Sequence, residues 1–180
     1  MRLLTVGHGT LSATDLVALL EGAGVTDLVD VRSAPGSRRH PHLAKDKMEA
    51  WLGRAGIRYR WEPALGGRRR TQAGSPNTAL RHPSFRGYAD HMATLEFTAA
   101  LDRLLDDAGA NVTAAMCAES LWWRCHRRLL ADAAVLLRGA TVVHLNHRGQ
   151  LGDHRLTDGV RVAGELVVYD VGSPPPLPGM

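Results

Sequence analysis

Lysine, cysteine and long apolar runs are scarce in this chain, and each scarcity excludes something. Two cysteines among 180 residues are too few for a disulfide framework. A small secreted scaffold stapled by disulfides is therefore excluded, and the two thiols are either inert core groups or chemically used ones. No apolar run reaches bilayer-crossing length, and Met1 leads directly into the strand-like Leu3-Leu4-Thr5-Val6 with no signal-peptide pattern. A soluble, cytoplasmic protein with no membrane partner is the expectation. Only two of the 22 basic residues are lysine, the rest being arginine in an alanine- and glycine-rich chain. Genome base composition produces that skew, so the net charge of +4 and the pI near 9.6 are weak evidence for a nucleic-acid partner. With no internal repeat and 44% hydrophobic residues, the length suits one well-cored domain. That domain is read as residues 1–170, with a proline-rich, disordered tail over 171–180.

What is present alternates between strand and helix. Arg2 to Val6 reads as a buried strand ending in Gly7-His8-Gly9, and Ser12 with Asp15 three residues on reads as the cap of a first helix. Leu28 to Val31 is a second strand, interrupted by the charged Asp30. A helix follows over about 45–55 and a third strand over 57–61. From Arg68 to about Pro83 periodicity is lost, which predicts a long mobile loop of the kind that closes over a site. Phe85 to Leu105 reads as one long helix. Val112 to Met116 is a buried strand, Leu129 to Leu137 an apolar helix face, Ala140 to Leu145 a fifth strand, and Val160 to Tyr169 one more at an edge. The alternation predicts an α/β fold, a three-layer sandwich with a mostly parallel, Rossmann-like sheet of about five strands. Gly7-His8, Asp30 to Arg32, Cys117 to Glu119 and His144 then share the carboxyl edge of the sheet, where such folds bind ligands.

The densest chemistry lies between Met116 and Arg128, at a strand-to-helix turn holding both cysteines, Glu119, His126 and three arginines. With Ser120 read as the helix cap, unpaired amides and nearby arginines favour a thiolate at Cys117. Cys125, one helical turn on, either faces the same pocket or the core. Zinc would need Cys117 and Cys125 to recruit His8 or His144, because Cys-x7-Cys-His matches no compact zinc spacing, and no metal or cofactor is assigned. Glu119 either handles protons or stabilises the helix end. Asp30 with Arg32 and Arg38 is either an ion pair or part of an anion site, and the glycine-lined strand ends beside them favour the anion site. Trp122 and Trp123 read as helix anchors and Arg68 to Arg70 as a solvated face.

Taken in order, Gly7-His8-Gly9, Asp30-Val31-Arg32-x-x-Pro35-x-Ser37-Arg38, Leu65-Gly66-Gly67, Cys117-Ala118-Glu119, Cys125-His126-Arg127 and Val143-His144 resemble the domain of unknown function 488 family over about residues 1 to 150. The resemblance implies an α/β fold, an enzyme that uses its cysteines, and roles for Asp30, Arg32, Ser37, Arg38, Cys117, Glu119, Cys125, His126 and Arg127. It supplies no reaction. Two departures border the pocket: Leu121-Trp122-Trp123 replaces an acidic residue and a proline common in the family, and Gly9 replaces a frequent serine.

Together these readings predict a cysteine-dependent hydrolase, transferase or thiol redox enzyme acting on a phosphate-, nucleotide- or sulfur-containing anion. Cys117, Glu119, Cys125 and His126 form the catalytic set. Gly7, His8, Asp30, Arg32, Ser37, Arg38, Gly66, Gly67 and Arg127 form the binding set. The rivals are a nucleic-acid-binding module in which the same arginines contact phosphates and Trp122 or Trp123 stacks on a base, and a non-catalytic regulatory or interaction protein.

Overall fold

The computed structural model describes residues 1–36 and 40–172. Ser37 and Arg38 of the expected binding set, and residues 173–180 of the expected tail, lie outside the described residues. A six-stranded sheet forms the centre, in the order β3-β2-β4-β1-β5-β6. Its strands are β1 (Arg2–Gly7), β2 (Asp27–Asp30), β3 (Arg58–Trp61), β4 (Thr113–Cys117), β5 (Thr141–Leu145) and β6 (Leu151–Asp153). The first five run parallel and β6 pairs antiparallel with β5. β4 is buried at every residue, as a central parallel strand covered on both faces must be.

The period of two along each strand sorts its side chains onto two faces, and each face has its own core. Leu4, Val6, Leu28, Ala114 and Met116 pack with α1 (Ala13–Gly22) and α2 (Lys45–Arg54). Leu3, Val29, Ala115 and Cys117 pack with α3 (Pro83–Met92), α4 (Leu95–Ala110) and α5 (Arg127–Arg138). This is a three-layer α/β sandwich. The chain leaves β1 for the α1 face and leaves its neighbour β4 for the α5 face, so a crevice opens between Gly7-His8-Gly9 and Cys117-Ala118-Glu119. Ligands bind at such a switch point in open α/β sheets.

Local chemistry sets the helix ends. The Ser12 hydroxyl accepts from the Asp15 amide at 3.1 Å and donates to its carboxylate at 2.7 Å, as the capping pattern requires. Gly139 at φ +63° closes α5, with the Ala140 amide reaching back to the Ala134 carbonyl at 3.1 Å.

Two expected boundaries are corrected, and one strand is not expected from the sequence at all. The single helix over 85–105 is two, because the Thr94 hydroxyl accepts from the Phe97 amide and starts α4 afresh. The last expected strand is a hairpin, β7 (Val160–Ala163) and β8 (Leu166–Tyr169), turning at Gly164 with φ +63° and forming its own two-stranded sheet. The three residues of β6, all exposed, carry no alternation from which to read them.

The segment from Arg68 to Leu80 contains no regular helix or strand, as expected, but it is fastened. Asp90 accepts hydrogen bonds from the Gln72 amide, the Ser75 hydroxyl and the Asn77 side-chain amide, and the Ala79 amide bonds the Tyr169 carbonyl. It forms a fixed wall of the crevice rather than a lid.

Candidate functional site

A cleft of about 1150 Å³ opens at the crevice. Cys117, Cys125, Glu119 and His126 line it, together with His8 and Gly67 and five arginines, Arg32, Arg68, Arg69, Arg70 and Arg124. Among the described residues Glu119 is the only carboxylate that lines it.

The cysteines meet because of how the chain enters α5. Ser120 does not cap the helix; a 3-10 turn over Trp122–Arg124 intervenes and α5 begins at Arg127, with His126 at the cap position. The first free helix amide therefore falls on the second thiol, and the Arg127 N–H donates to Cys125 Sγ at 3.5 Å. The two sulfurs lie 2.7 Å apart, and Cys117 Sγ donates to Glu119 Oε2 at 3.0 Å. His126 Nε2 donates to the Val31 carbonyl at 3.0 Å, which turns Nδ1 to face Cys125 Sγ at 3.4 Å.

These neighbours drive the thiols apart in acidity. Burial, and then the partner sulfur, push the Cys117 thiol well above the ordinary range. Burial would raise Cys125 as well, but the neighbouring Cys117 sulfur, then His126 and Arg127, overcome it and hold Cys125 well below that range. The sequence alone favours Cys117 as the thiolate. The geometry favours Cys125, since the helix start lies one thiol further along the chain.

Close approach accounts for the glycines. A Cβ on Gly7 would overlap the Glu119 carbonyl, and one on Gly67 would overlap the His126 ring. A Cβ on Gly66 would come within 2.6 Å of the Ser33 hydroxyl. Of these three, only Gly67 lines the cleft; they let protein groups, rather than a ligand, come near.

The remaining expected residues separate into two groups. Asp30 shares the end of the sheet with Cys117, but its register partner is Met116, so its side chain serves the opposite face. There it clamps Arg32 through Nε at 2.9 Å and Nη2 at 2.5 Å and accepts from Tyr59 Oη at 2.7 Å. Arg32 also donates to His8 Nε2 at 3.3 Å, while His8 Nδ1 donates to the Gly9 carbonyl. Burial, with that arginine beside it, lowers the His8 pKa to about 4, so His8 is neutral with both ring nitrogens engaged.

Arg127 is 1% exposed and does not line the cleft. Its guanidinium donates to the Glu119 backbone carbonyl and, at 3.4 Å, to Thr5 Oγ1, and its buried charge acts to lower both thiols. His144 is likewise buried behind the site.

Sequence reasoning marks the cluster Arg68 to Arg70 but reads it as a solvated face, and it gives Arg124 no role. Among the described residues no carboxylate lies within ion-pair distance of Arg68, Arg70 or Arg124, all of them exposed. Their available signal is the run Arg68-Arg69-Arg70 following Gly66-Gly67. Trp123, read as a helix anchor, lines the cleft and is 48% exposed.

Cys117, Glu119, Cys125 and His126 are also the residues that could hold a metal, their ligand atoms all lying within 4.8 Å of one another. Tetrahedral zinc with bonds of about 2.3 Å to sulfur sets its thiolates about 3.7 Å apart, so the sulfurs would have to separate. Among the described residues no helix is long and apolar enough to cross a membrane.

Fold and site together define an α/β protein with a cationic cleft floored by two thiols. The chain belongs to the family described as Domain of unknown function DUF488, whose model matches residues 12–134, more than half of the chain. No curated protein and no solved structure matches it.

Proposed function

We propose that this protein is a cytoplasmic thiol enzyme that acts on an anionic substrate held in the cleft, with Cys125 as attacking thiolate and Cys117 as resolving thiol. The observation that carries this reading is the pair of sulfurs 2.7 Å apart, one receiving the α5 amide and the other donating to Glu119. Thiolate is the nucleophilic form, and Cys125 is the sulfur whose surroundings favour it. Its addition to an unsaturated electrophilic atom of the substrate forms a covalent adduct, the π pair of the opened bond moving to the neighbouring atom, which takes up a proton from water. Glu119 then takes the Cys117 proton, the Cys117 sulfur attacks Cys125, and the substrate leaves with the electron pair of the broken bond and a proton. The products are a two-electron-reduced substrate and a Cys117–Cys125 disulfide, which a cellular thiol returns to the dithiol by exchange. A compartment that keeps thiols reduced suits that cycle.

Iodoacetamide alkylation followed against pH, with mass spectrometry locating the label, tests the proposal. Cys125 is expected to react at pH values where a free thiol, titrating near ~8.5, is still protonated. Cys125→Ser should abolish the fast phase. Mild peroxide should consume both thiols of the wild type together, and Cys117→Ser should stop at a single oxidised sulfur. Ordinary titration of both cysteines, or independent loss of the two thiols, would remove the basis for a thiol enzyme.

A further inference from the structure

The thiol pair occupies only the floor of the cleft. At about 1150 Å³ the cleft lies at the upper end of small-molecule sites, which run about 300 to 1,000 Å³. A bare oxyanion would fill one corner of it, whereas an extended molecule could span from floor to rim. The rim offers two kinds of chemistry. Arg68, Arg70 and Arg124 supply guanidiniums with no ion-pair partner among the described residues, suited to phosphate oxygens. Trp123 supplies an indole, the only aromatic among the large apolar side chains exposed in the described residues.

That indole is held in place. Trp123 meets Trp122 at 90° with ring centroids 5.7 Å apart, and Trp122 stacks on His144 at 4.0 Å and 8°. His144 is itself fixed: Nδ1 takes a hydrogen bond from Thr5 Oγ1 at 2.6 Å and Nε2 donates to His154 Nδ1 at 3.0 Å. His154 in turn donates to Asp132 at 2.9 Å. A tryptophan left half in water yet set on a rigid base is a preorganised stacking surface, and a flat ring landing on it loses little side-chain freedom.

We infer that the substrate is a nucleotide, its base stacked on Trp123 and its phosphate held by Arg68, Arg70 and Arg124, with its reacting atom reaching Cys125. This deepens the thiol-enzyme reading and rests on it only for the last clause.

The test is calorimetric titration with the four ribonucleoside monophosphates, ribose 5-phosphate, a nucleoside and a single-stranded hexanucleotide, together with alkylation of Cys125 in the presence of each. At least one monophosphate should bind about tenfold more tightly than ribose 5-phosphate, in line with the worth of one base stack. Trp123→Ala should erase that advantage and Trp123→Phe should keep most of it. Arg70→Ala should weaken nucleotide and ribose 5-phosphate alike. The bound nucleotide should slow Cys125 alkylation, half-protecting at its own Kd. Circular dichroism confirms that each variant is folded.

Equal binding of monophosphates and ribose 5-phosphate would overturn the inference, as would indifference to Trp123→Ala in a folded variant or nucleotide binding that leaves alkylation unchanged. A hexanucleotide that binds far more tightly than any monophosphate would replace it with a nucleic-acid interface. Alkylation of the unliganded wild type reports on the thiol reading alone, so failure of either reading is visible without the other.

Discussion

Two polar regions flank α5, and they handle charge in opposite ways. Behind the helix, one line of hydrogen bonds runs from Arg127 through Thr5, His144 and His154 to Asp132, each group donating to the next. Asp132 also accepts from Tyr169 Oη at 2.9 Å and from the Thr157 amide at 3.0 Å. The line begins on a cation and ends on an anion, with its histidine nitrogens all engaged. In front of the helix, five arginines line a cleft that holds one carboxylate among the described residues, and four of them, all but Arg32, have no ion-pair partner there. A buried polar line whose hydroxyl, ring nitrogens and carboxylate are all engaged, with Arg127 Nε the one unpartnered nitrogen along it among the described residues, is scaffold, because leaving its members unpaired is costly. An exposed array that does not close has interactions left for something else. Pairing, rather than residue type, separates structure from site in this molecule.

The sharpest way to break this distinction is to open the closed array. Asp132→Ala would leave the Tyr169 hydroxyl, the Thr157 amide and His154 without their acceptor in a site that excludes water. We expect a loss of about 3 to 5 kcal/mol in urea unfolding, the range for removing one partner of a buried charged network. A loss below about 1 kcal/mol would show that the array is not closed in the way described.

Gly7→Ala comes next, since its Cβ would overlap the Glu119 backbone where Arg127 binds the same carbonyl. Backbone has to move, so about 2 to 3 kcal/mol should be lost. Cys125 should also lose part of its low-pH reactivity as Arg127 shifts. Unchanged reactivity would mean that Arg127 does not hold the thiolate.

Acid sharpens the comparison from both sides. Burial lowers His8 in the cleft to about 4, and burial, then His154 and Arg127, lower His144 in the array to about 3. An unfolded histidine titrates near ~6.5. Both groups therefore bind fewer protons folded than unfolded, so their contribution is complete above about pH 6.5. It is lost as the pH falls through about 4 for His8 and about 3 for His144, for a combined effect on the order of a few kcal/mol. Urea midpoints should fall progressively below about pH 6.5. Replacing either histidine with glutamine should flatten the curve, His144→Gln over the wider window. A midpoint that holds steady from about pH 7 to about pH 4 would contradict the neutral, donating states of both rings.

How much of this could be read in the sequence follows the same division. The parallel sheet, the Ser12 cap and the gathering of Gly7, Cys117 and Glu119 at one edge are legible, because apolar periodicity and glycine placement are local signals. The two-helix form of residues 83–110 is not, because the periodicity runs through Thr94 and hides its capping role. The contact of the α5 amide with Cys125 is hidden because a 3-10 turn, which leaves little mark in a sequence, moves the helix start from Ser120 to His126. Asp30 with Arg32 and Arg38 reads as either an ion pair or an anion site, and the sequence favours the second; the structure pairs Asp30 with Arg32 and joins them to Tyr59 and His8, neither of which is near them in the chain. The line from His144 to Asp132 joins three elements, and no spacing rule connects them. Arg68 to Arg70 is legible as a run, but its lack of partners appears only in three dimensions.

The smallest expected effect falls on those arginines. Arg70 is exposed, has no carboxylate in reach among the described residues, and stands beside Arg68 and Arg69 on one wall. If its charge were structural, Arg70→Ala would destabilise the fold as a lost ion pair does. An unpaired guanidinium instead repels its neighbours across a water-filled cleft, where the effective dielectric is high and each pair costs only a fraction of a kcal/mol. Removing Arg70 should therefore leave the unfolding free energy within about 0.5 kcal/mol of the wild type, on the stabilising side. Salt supplies the sign. Screening shortens the Debye length from about 30 Å at 0.01 M to about 10 Å at 0.1 M, which should raise the wild-type melting temperature slightly and that of the variant less. Chloride and perchlorate should agree if screening alone is at work, whereas phosphate should stabilise the wild type beyond its ionic strength by binding the wall. A clear destabilisation by Arg70→Ala, or a salt response identical in the two proteins, would mean that the open side of the comparison is closed by a partner and that its charge belongs to the scaffold.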